Sequence, residues 1–305
     1  MISRSNARTA AEYVLIRSGL ERLARRRHRR DVMVLAYHNI VPSGSEISGD
    51  PSLHLPQDAF GRHLDMLVRT HDVMPLAMAL SATPARANRP VAAITFDDAY
   101  SGAVTAGVSE LARRGLPATI FVAPAFLDGR PFWWDTLGVD HPLGIPDRIR
   151  ERALLVHRGD GDAILAEADP RGELAARVPS HARGASLHDL TSAAGVAGLT
   201  LASHTWSHAN LVALDVARRA SELTRPLEWL RARFDNVLPY VSYPYGFSCL
   251  RVEKAAADAG YEAAFRISGG WIHAPPDAAF ALPRVNIPSG SSIAGFQLRA
   301  AGLVR

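Results

Sequence analysis

The chain has 305 residues, 48% hydrophobic and 21% charged, a globular composition that excludes a disordered protein. No apolar run reaches the ~18 residues that a membrane-spanning helix needs. The single cysteine, Cys249, excludes internal disulfides and thiolate metal clusters. The net charge of +4 is concentrated at one end: residues 1–30 hold nine arginines and two glutamates, so residues 31–305 carry −3 and no nucleic-acid partner is expected.

In chain order, the first expected element is a helix in residues 1–30. Tyr13, Val14, Ile16, Leu20 and Leu23 recur at near-helical spacing, and a run of five arginines around His28 follows. A secretory signal puts its charge before an uninterrupted apolar stretch, whereas here Arg17 and Glu21 interrupt the stretch and the densest charge follows it. The segment is therefore not read as a signal peptide, and the expected location is cytoplasmic or peripheral to the inner membrane. Two readings stand: a helix packed on the domain, or a basic amphipathic helix in peripheral contact with an anionic membrane.

Beyond it, short apolar runs alternate with helical patterns. Strands are expected at Val32–Tyr37, Val91–Phe96, Pro117–Val122, Leu199–Ala202, Val241–Tyr243 and Leu282–Ile287. Helices are expected at Gln57–Thr70, Ser101–Arg114, Leu214–Phe234 and Ser248–Ala259, the second and last closed by Gly115 and Gly260. This alternation predicts an α/β architecture with a mainly parallel sheet or barrel, in one domain over 31–305. Residues 132–198 break the pattern: after Trp133–Trp134 they turn charged and Ala-rich, with helical patches at Asp147–His157, Asp162–Glu167 and Glu173–Val178, and read as an inserted helical lobe.

The chemistry-bearing residues fall at strand ends, where α/β folds keep their active sites. Asp97–Asp98 closes Val91–Phe96, and consecutive residues leaving a strand point in different directions, so one carboxylate can bind a metal while the other moves a proton. On its own the pair reads rather as a cap on the helix that starts near Ser101. His204 and His208 follow Leu199–Ala202, and at i and i+4 one helical turn would bring them onto one face. With a carboxylate they make a donor set for zinc with positions left open, or for iron. Ser242–Tyr243–Pro244–Tyr245–Gly246 is a tight turn able to aim backbone N–H groups at an oxyanion. His38 closes the first strand and by itself reads as a packing residue.

Taken together, Thr95–Phe96–Asp97–Asp98, Pro117–Val122, Ser203–His204–Thr205 with His208, and Tyr243–Pro244–Tyr245–Gly246 resemble the NodB-type polysaccharide deacetylases, carbohydrate esterase family 4. The resemblance spans roughly 31–290 and implies a distorted, incomplete (β/α) barrel that removes acetyl groups from sugars with a divalent metal, usually Zn2+. It implies Asp97 as general base, Asp98, His204 and His208 as metal ligands, and the Tyr245 backbone N–H as oxyanion donor. Three positions depart from the family pattern. Ala99 stands where the family has Gly after the two aspartates, a change expected to be mild. The C-terminal Leu-x-His motif that supplies the acid is missing, while Tyr37–His38 is similar to the branch of poly-N-acetylglucosamine deacetylases, whose acid His lies near the N-terminus. Ser242 stands where the third motif often has an Arg that pairs with the base, and Arg284 is the expected replacement.

The expected function is metal-dependent de-N-acetylation of a bacterial N-acetylhexosamine-containing glycan or precursor, with Trp133, Trp134, Trp206 and Trp271 as sugar contacts. Alternatives are another C–N hydrolase on this scaffold acting on cyclic ureides or amides, a non-catalytic glycan-binding relic, and a non-haem iron oxygenase, which shares the donor types.

Overall fold

A computed structural model describes residues 12–81 and 89–304. Residues 1–11 of the basic N-terminal segment lie outside the described residues. The strands are β1 (Asp31–Tyr37), β2 (Asn39–Val41), β3 (His54–Pro56), β4 (Asp72–Val73), β5 (Val91–Phe96), β6 (Ala118–Val122), β7 (Leu199–Ser203), β8 (Val237–Ser242), β9 (Ala263–Phe265), β10 (Ile272–His273) and β11 (Val285–Asn286). Among the described residues nine of them form one sheet in the order β10-β1-β5-β6-β7-β8-β9, with β11 also on β1 and β4 also on β5, while β2 and β3 pair separately. Every pairing in the large sheet is parallel except β1 with β10. The sheet curls into the open half-barrel expected of the NodB type.

The curl follows from how the edges are filled. The outer edge of β1 is covered twice, antiparallel by β10 at Asp31–Val32 and parallel by β11 at Leu35–Ala36. The β5 edge is likewise shared, by β4 at Val91–Ala92 and by β6 at Thr95–Phe96. The strand period of two sorts side chains onto two faces. Met33, Leu35 and Tyr37 of β1 pack with Ala92, Ile94 and Phe96 of β5 in the larger core cluster. Val32, Val34, Val91 and Ala93 pack with Phe121, Ala202 and Phe265 on the other side. Continuing that second register along β5 puts Thr95 and then Asp97 on the same face.

The expected helices form with adjusted ends. Gln57–Thr70 appears as predicted, and the long helix runs Val216–Arg231, capped by Asp215, which accepts from the Arg218 N–H at 2.8 Å. Ser101–Arg114 is interrupted: Ala103–Gly107 is a wide π-type turn and Val108–Ala112 is α-helical. Between 132 and 198 lie helices at Trp133–Gly138, Asp147–Glu151, Gly161–Ala168, Glu173–Arg177 and Leu187–Ala194. Leu282–Ile287 shortens to β11, with Leu282 bridging to Phe265.

The segment before Leu187–Ala194 is stitched to the core by backbone: Tyr100 bridges Gly184, and Pro131 bridges Arg183. A side chain at Gly184 would meet the Phe126 carbonyl oxygen. Gly184→Ala is thus expected to destabilise by about 1–3 kcal/mol, as overpacked sites do. The check is a lower urea midpoint at unchanged slope; an unaltered midpoint would show that this backbone contact can relax freely.

Candidate active site

Five loops leave the C-terminal ends of β1, β5, β7, β8 and β9 and enclose a cavity of about 250 Å³ lined by His38, Asp97, Asp98, His204, His208 and Tyr245, among others. Seven non-glycine residues among those described take positive φ, and five of them are in these loops: Asp98, Ala99, Thr205, His208 and Tyr245. Such backbone costs on the order of 1 kcal/mol or more per residue and clusters where function over-determines it. Ala99, at φ 55° and fully buried, occupies a conformation that suits glycine.

At the centre of the half-barrel, Arg284 clamps Asp97. Its Nη1 donates to Oδ1 at 2.8 Å and its Nη2 to Oδ2 at 2.7 Å, with both side chains fully buried. Nη2 also donates to Ser242 Oγ at 2.6 Å and Nη1 to Thr95 Oγ1 at 3.1 Å, and Ser242 Oγ donates to Asp97 Oδ2 at 3.2 Å. Arg284 thus stands in the place expected of the replacement arginine, and Ser242 is the hydroxyl that ties it to β8. Burial pushes the Asp97 carboxyl up, but Arg284 and His204 outweigh it and hold it well below the usual carboxylate range.

Asp98 turns the other way. Its Oδ1 lies 3.4 Å from His204 Nε2 and 3.3 Å from His208 Nε2 and has no hydrogen-bond partner, although it is buried. Separations of 3.3–3.4 Å are close to the edge of a tetrahedron about a metal ~2.0–2.1 Å from each donor. His204 Nδ1 lies 2.8 Å from the Ser242 carbonyl, which can only accept, so the proton sits on Nδ1 and the Nε2 lone pair faces Asp98. Burial opposes charge on His204, yet Asp97 and Asp98 raise it above the ordinary value, while burial pulls His208 down to about 3. An orphaned carboxylate oxygen, an oriented imidazole and a neutral one fit a divalent cation. The three residues form the metal-capable cluster found among the described residues.

The two histidines do not converge by a helical turn. Residues 204–208 form a loop in which Thr205 (φ 64°) and His208 (φ 55°) reverse the chain. Glu222, on the helix Val216–Arg231, holds this loop by accepting from the Ser207 N–H at 2.8 Å and the Ser207 hydroxyl at 2.7 Å. Nothing in the local pattern pointed to it.

His38 is half-buried on the cavity wall; burial lowers its imidazole, against the pull of Asp98 and Asp97. Tyr245 sits at φ 60° in the Pro244–Gly246 turn with its ring edge-on to His208, centroids 4.6 Å apart.

The tryptophans divide. Trp133 and Trp134 line the cavity but are only 1% and 4% exposed. Trp133 Nε1 donates to the Tyr245 hydroxyl at 3.2 Å, and the Trp134 ring packs 4.7 Å from His208. Behind them a buried network runs from Trp134 Nε1 to the Tyr100 hydroxyl (2.7 Å), from that hydroxyl to Asp135 Oδ2 (2.6 Å), and from His54 Nε2 to Asp135 Oδ1 (2.7 Å). Trp206 and Trp271 do not reach the cavity. Trp206 lies under the Arg225 guanidinium, 3.9 Å away, and Trp271 stacks on His28 at 4.3 Å. The cavity also gains a polar pair that spacing gave no hint of: Asp50, paired with Arg150 of the Asp147–Glu151 helix.

The polysaccharide deacetylase family model matches residues 85–264. No curated protein matches the chain. Similar solved structures include IcaB from Ammonifex degensii, at 16% identity and TM-score 0.61, covering 89% of this chain and 97% of that one. The deacetylase PplD from Streptococcus pyogenes, in complex with acetate, has 16% identity and TM-score 0.60, covering 88% and 98%. The de-N-acetylase from Aggregatibacter actinomycetemcomitans has 14% identity and TM-score 0.57, covering 88% and 99%. With the matched family model spanning more than half of the chain and these relatives sharing its fold, the chain belongs to the polysaccharide deacetylase family and is a carbohydrate deacetylase.

Proposed function

We propose that this deacetylase removes N-acetyl groups from an N-acetylhexosamine-containing glycan or glycan precursor, using a divalent metal held by Asp98, His204 and His208. The observation that carries the reading is the convergence of those three donors beside a carboxylate that Arg284 keeps ionised. The donor set suits zinc. That one similar structure is a de-N-acetylase supports amide chemistry.

An amide resists hydrolysis because its carbonyl is weakly electrophilic and its amine a poor leaving group. A bound divalent cation supplies polarisation of the acetyl carbonyl and makes water more acidic. Asp97 takes the proton from the attacking water; its two oxygens are held by Arg284 and Ser242, so it is oriented before substrate arrives. The backbone N–H at Tyr245 is offered to the carbonyl oxygen as it gains charge. His38 gives a proton to the nitrogen as the C–N bond breaks, releasing acetate and the free amine. The enclosed Trp133 and Trp134 shape the space around the acetyl group rather than presenting an open stacking platform.

Stripping the protein with a chelator is expected to abolish acetate release from N-acetylated oligosaccharides, and one equivalent of zinc to restore it. Full activity without metal would sink the metal-dependent reading, and release from O-acetyl but not N-acetyl sugars would sink the amide reading.

His38→Ala is expected to lower kcat on an N-acetyl sugar by about 10²–10⁴-fold with metal content unchanged. The loss should be much smaller on an activated aryl acetate, whose phenolate departs without a proton. Equal losses on both substrates would return His38 to a packing role.

A further inference from the structure

The helix Leu20–Arg27 carries its polarity the wrong way round for a helix that serves only its own domain. Its buried residue is Glu21, 3% exposed, held by Arg25 at 3.0 Å and by Gln297 at 2.8 Å. Its leucines face out: Leu20 is 49% and Leu23 53% exposed, and Tyr13 and Val14 just before it are 50% and 67% exposed. A helix that docks only on its core buries its apolar stripe and shows its charges.

The same helix also contributes arginines to a neighbouring cavity. Arg22, Arg25, Arg26, Arg29, Arg69 and Arg89 line one cavity of about 210 Å³. Arg25 pairs with Glu21, and Arg89 with Asp72 at 2.8 Å. The other four make no ion pair among the described residues. Like charges gathered this closely repel one another, and anions relieve the repulsion. A soluble polyanion would leave the leucines in water, and an apolar groove would leave the arginines without counter-charge. The surface of an anionic bilayer offers lipid phosphates and an acyl boundary together.

We propose that this end of the molecule docks on an anionic membrane surface, with Leu20 and Leu23 entering the headgroup boundary and Arg22, Arg26, Arg29 and Arg69 meeting lipid phosphates. The topology gives the docking an orientation. The helix Leu20–Arg27 precedes β1, and Arg89 and Pro90 precede β5, so the patch lies at the start of the two strands whose ends deliver His38 and Asp97–Asp98. Strands of this length span about 20 Å. Docked this way, the chain keeps the mouth of its cavity turned from the lipid, towards a glycan outside the headgroup layer. No described helix is long and apolar enough to cross a membrane, so the contact is peripheral. The inference stands apart from the metal and substrate assignments.

The test is co-sedimentation of the full chain with vesicles of phosphatidylcholine alone and of phosphatidylcholine mixed with phosphatidylglycerol, over a range of salt. Binding is expected on the anionic vesicles only, falling as salt rises. Leu20→Glu/Leu23→Glu is expected to abolish it while the wild-type circular dichroism is retained. Arg22→Gln/Arg26→Gln should weaken it by about 25-fold, about fivefold for each arginine at the surface; this variant decides the matter alone if the first does not fold. No binding to anionic vesicles, equal binding to neutral ones, or wild-type binding by both variants overturns the proposal. So does a dimer that Leu20→Glu/Leu23→Glu converts to monomer while neither form binds vesicles, since the face would then join two copies of the chain.

Discussion

Replacing His208 with alanine is expected to empty the metal site and take acetate release to background while the protein stays folded. The expectation rests on geometry: Asp98 Oδ1 lies 3.4 Å from His204 Nε2 and 3.3 Å from His208 Nε2, so removing one imidazole leaves two protein donors for a cation that needs at least three. The His208 Nδ1 has no hydrogen-bond partner, so the truncation removes ring packing against Trp134, Tyr245 and His204. His204→Ala should behave likewise with respect to metal, and it also frees the Ser242 carbonyl. Elemental analysis of both variants beside their melting curves is the check. A full equivalent of metal retained by both would remove the ligand assignment.

Arg284→Met is expected to be the most destabilising single change near the site, by about 3–5 kcal/mol, because it leaves the Asp97 carboxylate buried without its counter-charge. Asp97→Asn/Arg284→Met should recover much of that stability, since neither partner is then a lone buried charge, yet show no activity because the base is gone. The pH dependence has a definite sign. Asp97 is depressed in the folded protein, so its contribution to stability is complete above about pH 4, the ordinary carboxylate value, and is lost only as pH falls towards the folded value. Without Arg284, burial dominates and the carboxyl rises. The acidic limb of the rate profile in the single variant should therefore move to higher pH. An Arg284→Met protein as stable as wild type, with an unshifted limb, would mean that the clamp is incidental.

By itself, the sequence placed each chemistry-bearing motif at the end of a short apolar run, and the resemblance those motifs carry implied that they meet at one site. Val91–Phe96 announces both β5 and the position of Asp97 at its end, and Val32–Tyr37 does the same for His38. The strands it did not announce are β2, β3, β4, β9 and β10, two or three residues each, too short to carry a period and held by pairing with partners up to 242 positions away. Only the tertiary structure decided how Arg284 reaches Asp97 across 187 positions, and that Trp206 and Trp271 pack on Arg225 and His28 instead of lining the cavity. The same holds for the histidine loop: at i and i+4 the spacing suggested a helical turn, but positive φ at Thr205 and His208, fixed by Glu222 from a distant helix, brings the two rings together instead. Buried hydrogen bonds such as Asp135 with His54 and Tyr100 belong to the same class. Their partners are chosen by which strands and helices pack together, and that choice depends on burial summed over the whole chain rather than on any local pattern.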